Sequence, residues 1–213
     1  MFCDSLFLYA RERGKNYRQM GRFLWSVLGV FSIIRLRIRG VKISGITYIV
    51  RKHFRVVGDA GKIEIDGRYG GGYIGPDSMM TCSGSGEMKI GFGFRATEHL
   101  RLTSLNRVVI GDNVLLGSSV TILDCNHGMN AEEGGYFEQE MLLKEVHIED
   151  GVWCGDYVVI LPGVTVGKHS IIGAGSIVTK SVPSYCIAVG NPARVIKKWD
   201  FDSKSWKKVE AES

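Results

Sequence analysis

The hydrophobic pattern of the chain has a period of six residues. From Ile148 the sequence divides into the hexads IEDGVW, CGDYVV, ILPGVT, VGKHSI, IGAGSI and VTKSVP. The first position of each hexad is apolar or a thiol, and the fifth is small or β-branched. A shorter run, IGDNVL and LGSSVT, begins at Ile110, and degraded units begin at Ile74 and Ile90. Six consecutive hexads in register indicate an internal structural repeat rather than chance alternation in a β-sandwich.

This period fits neither an α-helix nor a coiled coil, whose hydrophobic repeats are about 3.6 and 3.5 residues. It fits a short strand followed by a tight turn that needs Gly, Asn or Asp. Three hexads close one triangular coil, and stacked coils pair their strands in parallel about 4.8 Å apart. Each coil buries its apolar ladder only against its neighbours. The sequence therefore predicts an all-β solenoid, although the period does not fix its handedness.

The repeat divides the chain into three regions. Residues 1–52 are predicted to be a non-repeat N-terminal region that is partly helical. Residues 53–190 are predicted to form the solenoid, with an inserted loop at residues 123–146. Residues 191–213 are predicted to form a C-terminal tail containing a short helix.

An apolar segment in the N-terminal region, Phe23–Ile34, has arginines on both sides, namely Arg22, Arg35, Arg37 and Arg39. It is too short to span a bilayer, which takes roughly 20 apolar residues. One interpretation is an element that packs on the main domain or on a partner subunit. The other is an interfacial anchor that makes peripheral contact with the inner face of the membrane through anionic lipid.

Composition narrows the class of protein. The 213 residues contain 28 glycines but only 4 prolines, which favours a fold with many regular turns over a disordered linker. A formal net charge of +5, spread along the chain, does not indicate nucleic-acid binding. Five scattered cysteines without a CxxC motif predict reduced thiols in a cytoplasmic protein. The polar N-terminus does not look like a secretory signal.

The hexads stop at the stretch TILDCNHGMN and resume near Ile148. A long insertion in a rigid wall is typical of a functional loop. His127 lies at its stem, where a histidine can act as a general base near neutral pH. Asp124 is the candidate that orients the imidazole, unless His127 simply makes an ordinary loop hydrogen bond. The alternative orienting groups are the loop acids Glu132, Glu133, Glu138 and Glu140.

The motifs GVTVGKHSIIGAGSIVTKSVP and GNPARVIKK carry a family resemblance over about residues 108–198. The chain resembles hexapeptide-repeat acyltransferases of the maltose/galactoside O-acetyltransferase branch, and is similar to capsule, exopolysaccharide and O-antigen O-acetyltransferases. The resemblance implies a left-handed parallel β-helix, acetyl-CoA as cosubstrate without a metal, and a homotrimer with sites between subunits. It implies that His127 is the catalytic base that deprotonates a sugar hydroxyl.

The resemblance also assigns the donor site. The implied coenzyme-binding residues are Trp153, Gly155, Asp156, Ala174, Thr179, Lys180, Arg194 and Lys197. The backbone N–H of Gly155 or Asp156 matches the region that stabilises the oxyanion. Two positions depart from the family. Thr97 or His99 stands where an asparagine commonly binds acceptor, and Asp156 replaces a hydroxyl residue.

Several functions compete. The leading hypothesis is O-acetylation of a sugar or polysaccharide hydroxyl, and the alternative is N-acetylation of an amino sugar or of a xenobiotic. A trimeric carbonic anhydrase of the same fold needs three converging histidines with two close in sequence. The five histidines of this chain show no such pair. A non-catalytic assembly module is disfavoured because the loop histidine and the tail cations are both present.

Overall fold

The computed structural model describes residues 30–45, 48–68 and 72–209. Residues 30–38 are helical, and a short 3-10 turn spans Ala60–Lys62. The rest is a stack of six coils, and each coil contributes one strand to each of three parallel sheets, called A, B and C in the order in which the chain meets them. The corners between them are called the AB, BC and CA corners. The predicted solenoid is confirmed and is consistent with a left-handed β-helix.

The strands follow chain order within each sheet. Sheet A contains β1 (Lys42–Gly45), β4 (Ile63–Gly67), β7 (Glu87–Ile90), β10 (Arg107–Ile110), β15 (Val146–Ile148) and β18 (Thr165–Val166). Sheet B contains β2 (Tyr48–Val50), β5 (Gly72–Ile74), β8 (Arg95–Ala96), β11 (Leu115–Leu116), β16 (Trp153–Cys154), β19 (Ile171–Ile172), β21 (Cys186–Gly190), β22 (Ala193–Asp200) and β23 (Ser205–Lys208). Sheet C contains β3 (Arg55–Gly58), β6 (Met79–Cys82), β9 (Arg101–Ser104), β12 (Thr121–Leu123), β17 (Val159–Ile160) and β20 (Ile177–Val178). A separate two-stranded ribbon contains β13 (Cys125–Asn126) and β14 (Leu142–Leu143).

The hexads explain the last coils directly. The first and fifth positions of the hexads from Ile148 are all buried, so both columns face the interior. Two of the fifth positions are serines, whose hydroxyls accept hydrogen bonds from the chain above. Ser170 Oγ accepts from Cys186 N at 3.1 Å, and Ser176 Oγ accepts from Gly190 N at 3.0 Å. These polar side chains are therefore satisfied within the core.

The solenoid begins earlier than residue 53. Strands β1 and β2 already pair in parallel with β4 and β5, so the boundary predicted at 52/53 is corrected to about Lys42. The helix at residues 30–38 packs Ile33 and Leu36 against the core, where both are buried. It covers apolar groups at the open end of the first coil, which a solenoid cannot leave exposed to water.

The described part of the C-terminal tail, residues 191–209, is not helical, contrary to the prediction. Strands β22 and β23 form an antiparallel hairpin that continues sheet B from β21. The last parallel strand would otherwise present unpaired N–H and C=O groups, and the tail satisfies them. Aromatic contacts hold the hairpin, with ring centroids of Trp199 and Trp206 5.2 Å apart and those of Tyr185 and Phe201 5.0 Å apart.

The apolar N-terminal segment lies largely outside the described residues, which include only residues 30–34 of it. Across the described ranges, no helix has the length and apolar content needed to cross a membrane.

Candidate active site

The inserted loop leaves the wall at the CA corner of the fourth coil. Strand β13 pairs antiparallel with β14, which joins Cys125 to Leu143 and Asn126 to Leu142. Lys144 N also donates to the Asp124 carbonyl oxygen at 2.8 Å. The loop therefore returns to the corner from which it left. This ribbon fixes the base of the loop, and His127 is the first residue beyond it.

Gln139 holds the body of the loop in one conformation. Its Oε1 accepts a hydrogen bond from Asn130 N at 2.9 Å, and its Nε2 donates to the Asn130 and Glu133 carbonyl oxygens at 2.8 and 3.1 Å. Gly128 lies against the same side chain, since a Cβ at Gly128 would come within 2.7 Å of Gln139 Cβ. The residue after His127 must therefore be small.

The His127 side chain is exposed, and among the described residues its ring makes no hydrogen bond. Its ring contact is with Phe137, whose centroid lies 6.4 Å away. Phe137 is 90% exposed, and its neighbour Tyr136 is also exposed. The loop thus presents an imidazole beside the exposed ring of Phe137, where the imidazole is open to a second molecule.

The Asp124 carboxylate makes no hydrogen bond to His127, contrary to the prediction. It is fully buried, and its carboxylate accepts three hydrogen bonds, from Ser104 Oγ at 2.7 Å and from Leu105 N and Asn106 N at 2.9 Å each. A buried carboxylate needs such donors to offset its lost hydration. Asp124 is therefore the anchor of the short CA turn beneath the loop. The loop acids predicted as alternatives likewise make no hydrogen bond to His127 within the described chain.

Cys125 lies beside His127 in sequence but is only 8% exposed. Burial raises the pKa of its thiol, and the nearby Asp124 carboxylate raises it further. The thiolate is the nucleophilic form of cysteine. The arrangement therefore favours a packed thiol at Cys125 over a nucleophile.

The donor-site residues fall into two groups. Trp153, 49% exposed, lies on the outer face of sheet B, and Gly155, Asp156 and Ala174 lie at the BC corner directly after β16 and β19. Thr179 and Lys180 lie at the CA corner of the sixth coil, after β20. That corner is the one from which the His127 loop leaves, two coils earlier. Within one chain, sheet C separates the two groups.

Only one of the two predicted oxyanion donors is available. Gly155 N already donates to the Ile172 carbonyl oxygen at 2.8 Å, as part of the ladder between coils. In the described part of the chain, Asp156 N has no acceptor. The Asp156 carboxylate accepts from Ser118 N at 2.7 Å, so its side chain ties the fifth coil to the fourth. The backbone of Asp156, rather than its side chain, is therefore the chemically useful part.

A β-bulge decides where the tail cations point. In a regular strand, Arg194 and Lys197 would face opposite sides of the sheet. The pairing shifts between Ile187 and Ala188, so that Lys197 lies opposite Ile187 and Arg194 lies opposite Val189. Residues directly opposite in an antiparallel pair share a face. Both cations therefore lie on the outer face of sheet B, in line with Trp153, and the sequence pattern gave no signal of this bulge.

Two cavities in the described part of the chain lie away from the predicted site. Two open depressions of about 900 and 460 Å³ lie along sheet A. Neither is lined by a predicted site residue. The described residues also contain no cluster of three or more His, Cys, Asp or Glu side chains suited to a metal ion.

Comparisons with known proteins agree with this architecture. Residues 145–180 match the family model of the bacterial transferase hexapeptide (six repeats). The galactoside O-acetyltransferase of Escherichia coli (strain K12) is 43% identical over 111 residues, which cover 51% of this chain and 53% of that protein. The predicted resemblance to hexapeptide-repeat acyltransferases is confirmed by these matches.

Solved structures place the likeness within the predicted branch. A galactoside acetyltransferase in complex with coenzyme A is 40% identical, with a TM-score of 0.51, and the match covers 58% of this chain and 63% of that one. A maltose O-acetyltransferase from Clostridium difficile 630 is 27% identical, with a TM-score of 0.55 and coverage of 92% and 84%. The likeness is therefore to the galactoside and maltose O-acetyltransferases. The chain spans little more than half the length of the curated relatives it matches.

Proposed function

We propose that the protein is an acetyl-CoA-dependent O-acetyltransferase that acts on a sugar or polysaccharide hydroxyl, with His127 as general base. The observation that carries this proposal is the placement of His127. It is exposed and free of hydrogen bonds within the described chain, at the stem of a loop held by Gln139. A general base must be accessible to the proton that it removes.

The acetyl donor is expected on the outer face of sheet B. Trp153 offers an apolar surface there, and Arg194 and Lys197 lie further along the same face, where they suit the phosphates of coenzyme A. Gly155, Asp156 and Ala174 form the adjacent edge. Thr179 and Lys180 would contribute from the CA corner of a second subunit.

The reaction follows from these positions. His127 takes the proton of the acceptor hydroxyl as its oxygen attacks the thioester carbonyl carbon. The carbonyl oxygen gains negative charge and accepts a hydrogen bond from Asp156 N–H. The tetrahedral intermediate then collapses, the C–S bond breaks, and His127 returns its proton to the leaving thiolate. The products are the acetyl ester and coenzyme A, and Cys125 takes no part.

A homotrimer completes the site. Since sheet C separates His127 from Trp153 within one chain, the base of one subunit must approach the sheet B edge of another. Closed rings of such contacts give cyclic symmetry with equivalent sites. We infer a cytoplasmic location, because acetyl-CoA is a cytoplasmic cosubstrate.

The experiment compares His127→Ala with Cys125→Ser in an assay of thioester consumption over a panel of glycans and amino sugars, with mass spectrometry of the product. His127→Ala should lower turnover about 10²–10⁴-fold and leave coenzyme A affinity unchanged. Cys125→Ser should keep near-normal turnover. Near-normal turnover of His127→Ala would show that the base is another group.

The same panel tests the alternative function. Acetylated amines without acetyl esters would identify an N-acetyltransferase of an amino sugar or a xenobiotic acetyltransferase. No turnover of any acceptor by a protein that binds no coenzyme A would indicate a non-catalytic assembly module.

A further inference from the structure

A row of exposed cations lies along the BC corner and adjoining strands of the first three coils. Its members are Arg51, Lys52, Arg55, Arg95 and Arg101, here called the cationic edge. Two carboxylates share this region, Asp77 and Glu98. Asp77 is already engaged, since its Oδ1 lies 2.9 Å from His53 Nδ1. The edge therefore has an excess of positive charge.

None of the five side chains has an ion pair or a side-chain hydrogen bond within the described chain. Sheet A and the AB corner give an internal reference. They carry as many cations, Lys42, Arg68, Lys89, Arg107 and Lys168, but also the carboxylates Glu64, Asp66, Glu87, Asp112, Glu149 and Asp150. Lys42 pairs with Glu64, and Arg68 pairs with Asp66. Positive charge is thus balanced on sheet A and unbalanced on the cationic edge.

The strand register places this edge beside the proposed donor site. On sheet B, Arg95 pairs with Leu115, and Leu115 pairs with Trp153, so Arg95 lies two strands from Trp153. On sheet C, Arg101 is two strands from Val159. At about 4.8 Å per strand, both guanidinium-bearing strands are roughly 10 Å from the fifth coil. Arg55 extends the row by two further strands, through Met79.

We propose that the cationic edge binds the acceptor, and that the acceptor is an anionic glycan carrying carboxylate or phosphate groups. This inference rests on the proposed function. The donor residues lie on the fifth and sixth coils and the hairpin, which leaves the first four coils free for an acceptor that meets the acetyl group. Guanidinium groups match carboxylates and phosphates in a planar, two-bond geometry. Unpaired cations in a row repel one another, and a bound polyanion relieves that repulsion.

The test is a binding measurement by titration calorimetry on the full chain. An oligogalacturonate is compared with a neutral maltooligosaccharide of equal length, and glucose 1-phosphate with glucose, so that the two arms separate carboxylate from phosphate recognition. The double variant Arg95→Gln/Arg101→Gln is compared with Lys89→Gln, an exposed cation on the same coil but on sheet A. Thermal unfolding of each variant checks its fold.

The wild type should bind at least one anionic probe and should bind it more weakly as salt is raised, because salt screens exposed charges. The double variant should weaken that binding by about tenfold or more, since hydrogen bonds to charged groups are among the stronger ones. Lys89→Gln should bind as the wild type does. Equal binding of neutral and anionic probes, or no effect of the double variant, would overturn the proposal.

A third arm uses vesicles of phosphatidylglycerol and phosphatidylcholine. Vesicle binding that depends on Arg95 and Arg101, without binding of either soluble anionic probe, would show a membrane surface instead and overturn the proposal. The measurement requires no turnover. Retained anion binding together with normal turnover of His127→Ala would therefore refute the assigned catalytic base while leaving the cationic edge supported.

Discussion

The first coils and the last coils have the same backbone path but fill it differently. In the last coils His147 pairs with Thr165, Trp153 with Ile171 and Val159 with Ile177, each eighteen residues later, which is three hexads. In the first coils the spacing varies, since Lys42 pairs with Glu64 but Arg55 pairs with Met79. The repeat in the sequence is therefore regular where the spacing is constant and degraded in the first coils, as at Ile74 and Ile90.

The interiors differ in the same way. The large buried side chains Tyr48, Phe54 and Phe94 lie in the first three coils, whereas the last coils bury Val, Ile, Cys and Ser. Tyr48 also packs tightly on Gly72, where a Cβ would come within 2.1 Å of its ring. Longer strands and bigger side chains give the first coils a wider, less regular core. The last coils thus fill their interior with the small and branched residues of the regular hexad, whereas the first coils fill theirs with larger side chains.

The largest effect expected from this difference is on the free energy of unfolding when a buried side chain is shortened. Phe94→Ala should lower the free energy of unfolding by about 3–5 kcal/mol, because it removes a fully buried ring and leaves a cavity. Ile160→Val in the last coils should cost only about 0.5–1.5 kcal/mol. Urea unfolding followed by circular dichroism measures both. Because Phe94→Ala removes a whole ring and Ile160→Val only one methyl group, equal costs would mean that the last coils tolerate truncation less well than the first coils.

A smaller effect on stability is expected at Asp124, which lies between the first coils and the last coils. Asp124→Asn keeps the shape of the side chain but removes the charge that three donors share, so it should destabilise by about 1–3 kcal/mol. Asp112→Asn is the matched control, since the exposed Asp112 carboxylate accepts one amide, Phe92 N at 2.8 Å. Its cost should be smaller.

Both variants should also be measured for turnover. Asp124→Asn should change turnover only as far as it loosens the loop stem, because the Asp124 carboxylate bonds to Ser104, Leu105 and Asn106 and not to His127. A loss as large as that of His127→Ala, in a folded variant, would contradict this structural role.

The smallest expected effect concerns acid stability in the first coils. The Arg68 side chain hydrogen-bonds Asp66, with Nε 2.9 and 3.0 Å from the two carboxylate oxygens, and holds the pKa of Asp66 down to about 2. The unfolded chain binds that proton near the usual pKa of about 3.9. The stabilisation is therefore complete above that value and is lost as the pH falls from about 4 to about 2.

Arg68→Gln should remove this dependence and cost at most about 1 kcal/mol at neutral pH, since the pair lies at the surface. Unfolding titrations from pH 2 to pH 6 measure it. An unchanged acid profile would show that another group sets the acid stability of the first coils.

The sequence predicted more of the fold than of the site. The hexads identified the interior columns of the last coils, because a six-residue period has few structural solutions. They missed strands β1 and β2 of the first coil, and they are degraded in the first three coils, where Phe54 and Phe94 fill positions that the hexad gives to smaller residues. The tail was wrongly predicted to be helical because its local pattern is short, whereas pairing with the exposed edge of β21 determines its conformation.

Within the site, the break in the hexads located the loop and its histidine. It could not show that Asp124 binds the turn at Leu105 and Asn106, because those residues come almost twenty positions earlier. Nor could it show that Gly155 N–H is already used and that Asp156 N–H is left. Backbone hydrogen bonds between coils depend on register, and register is set by how many residues each corner takes.

The sequence by itself determined that this chain forms a solenoid with an interrupted wall and a histidine at the interruption. Period and composition are local properties, and they suffice for a repeat in which each coil packs only on its neighbours. The tertiary structure decided which charged side chains form ion pairs and which of them lie together on one face. It placed Arg194 and Lys197 on one face through a bulge, and it gathered Arg51 from the first coil and Arg95 and Arg101 from the third coil onto one edge. Stacking brings distant residues within about 5 Å per coil, and no sequence period records that proximity.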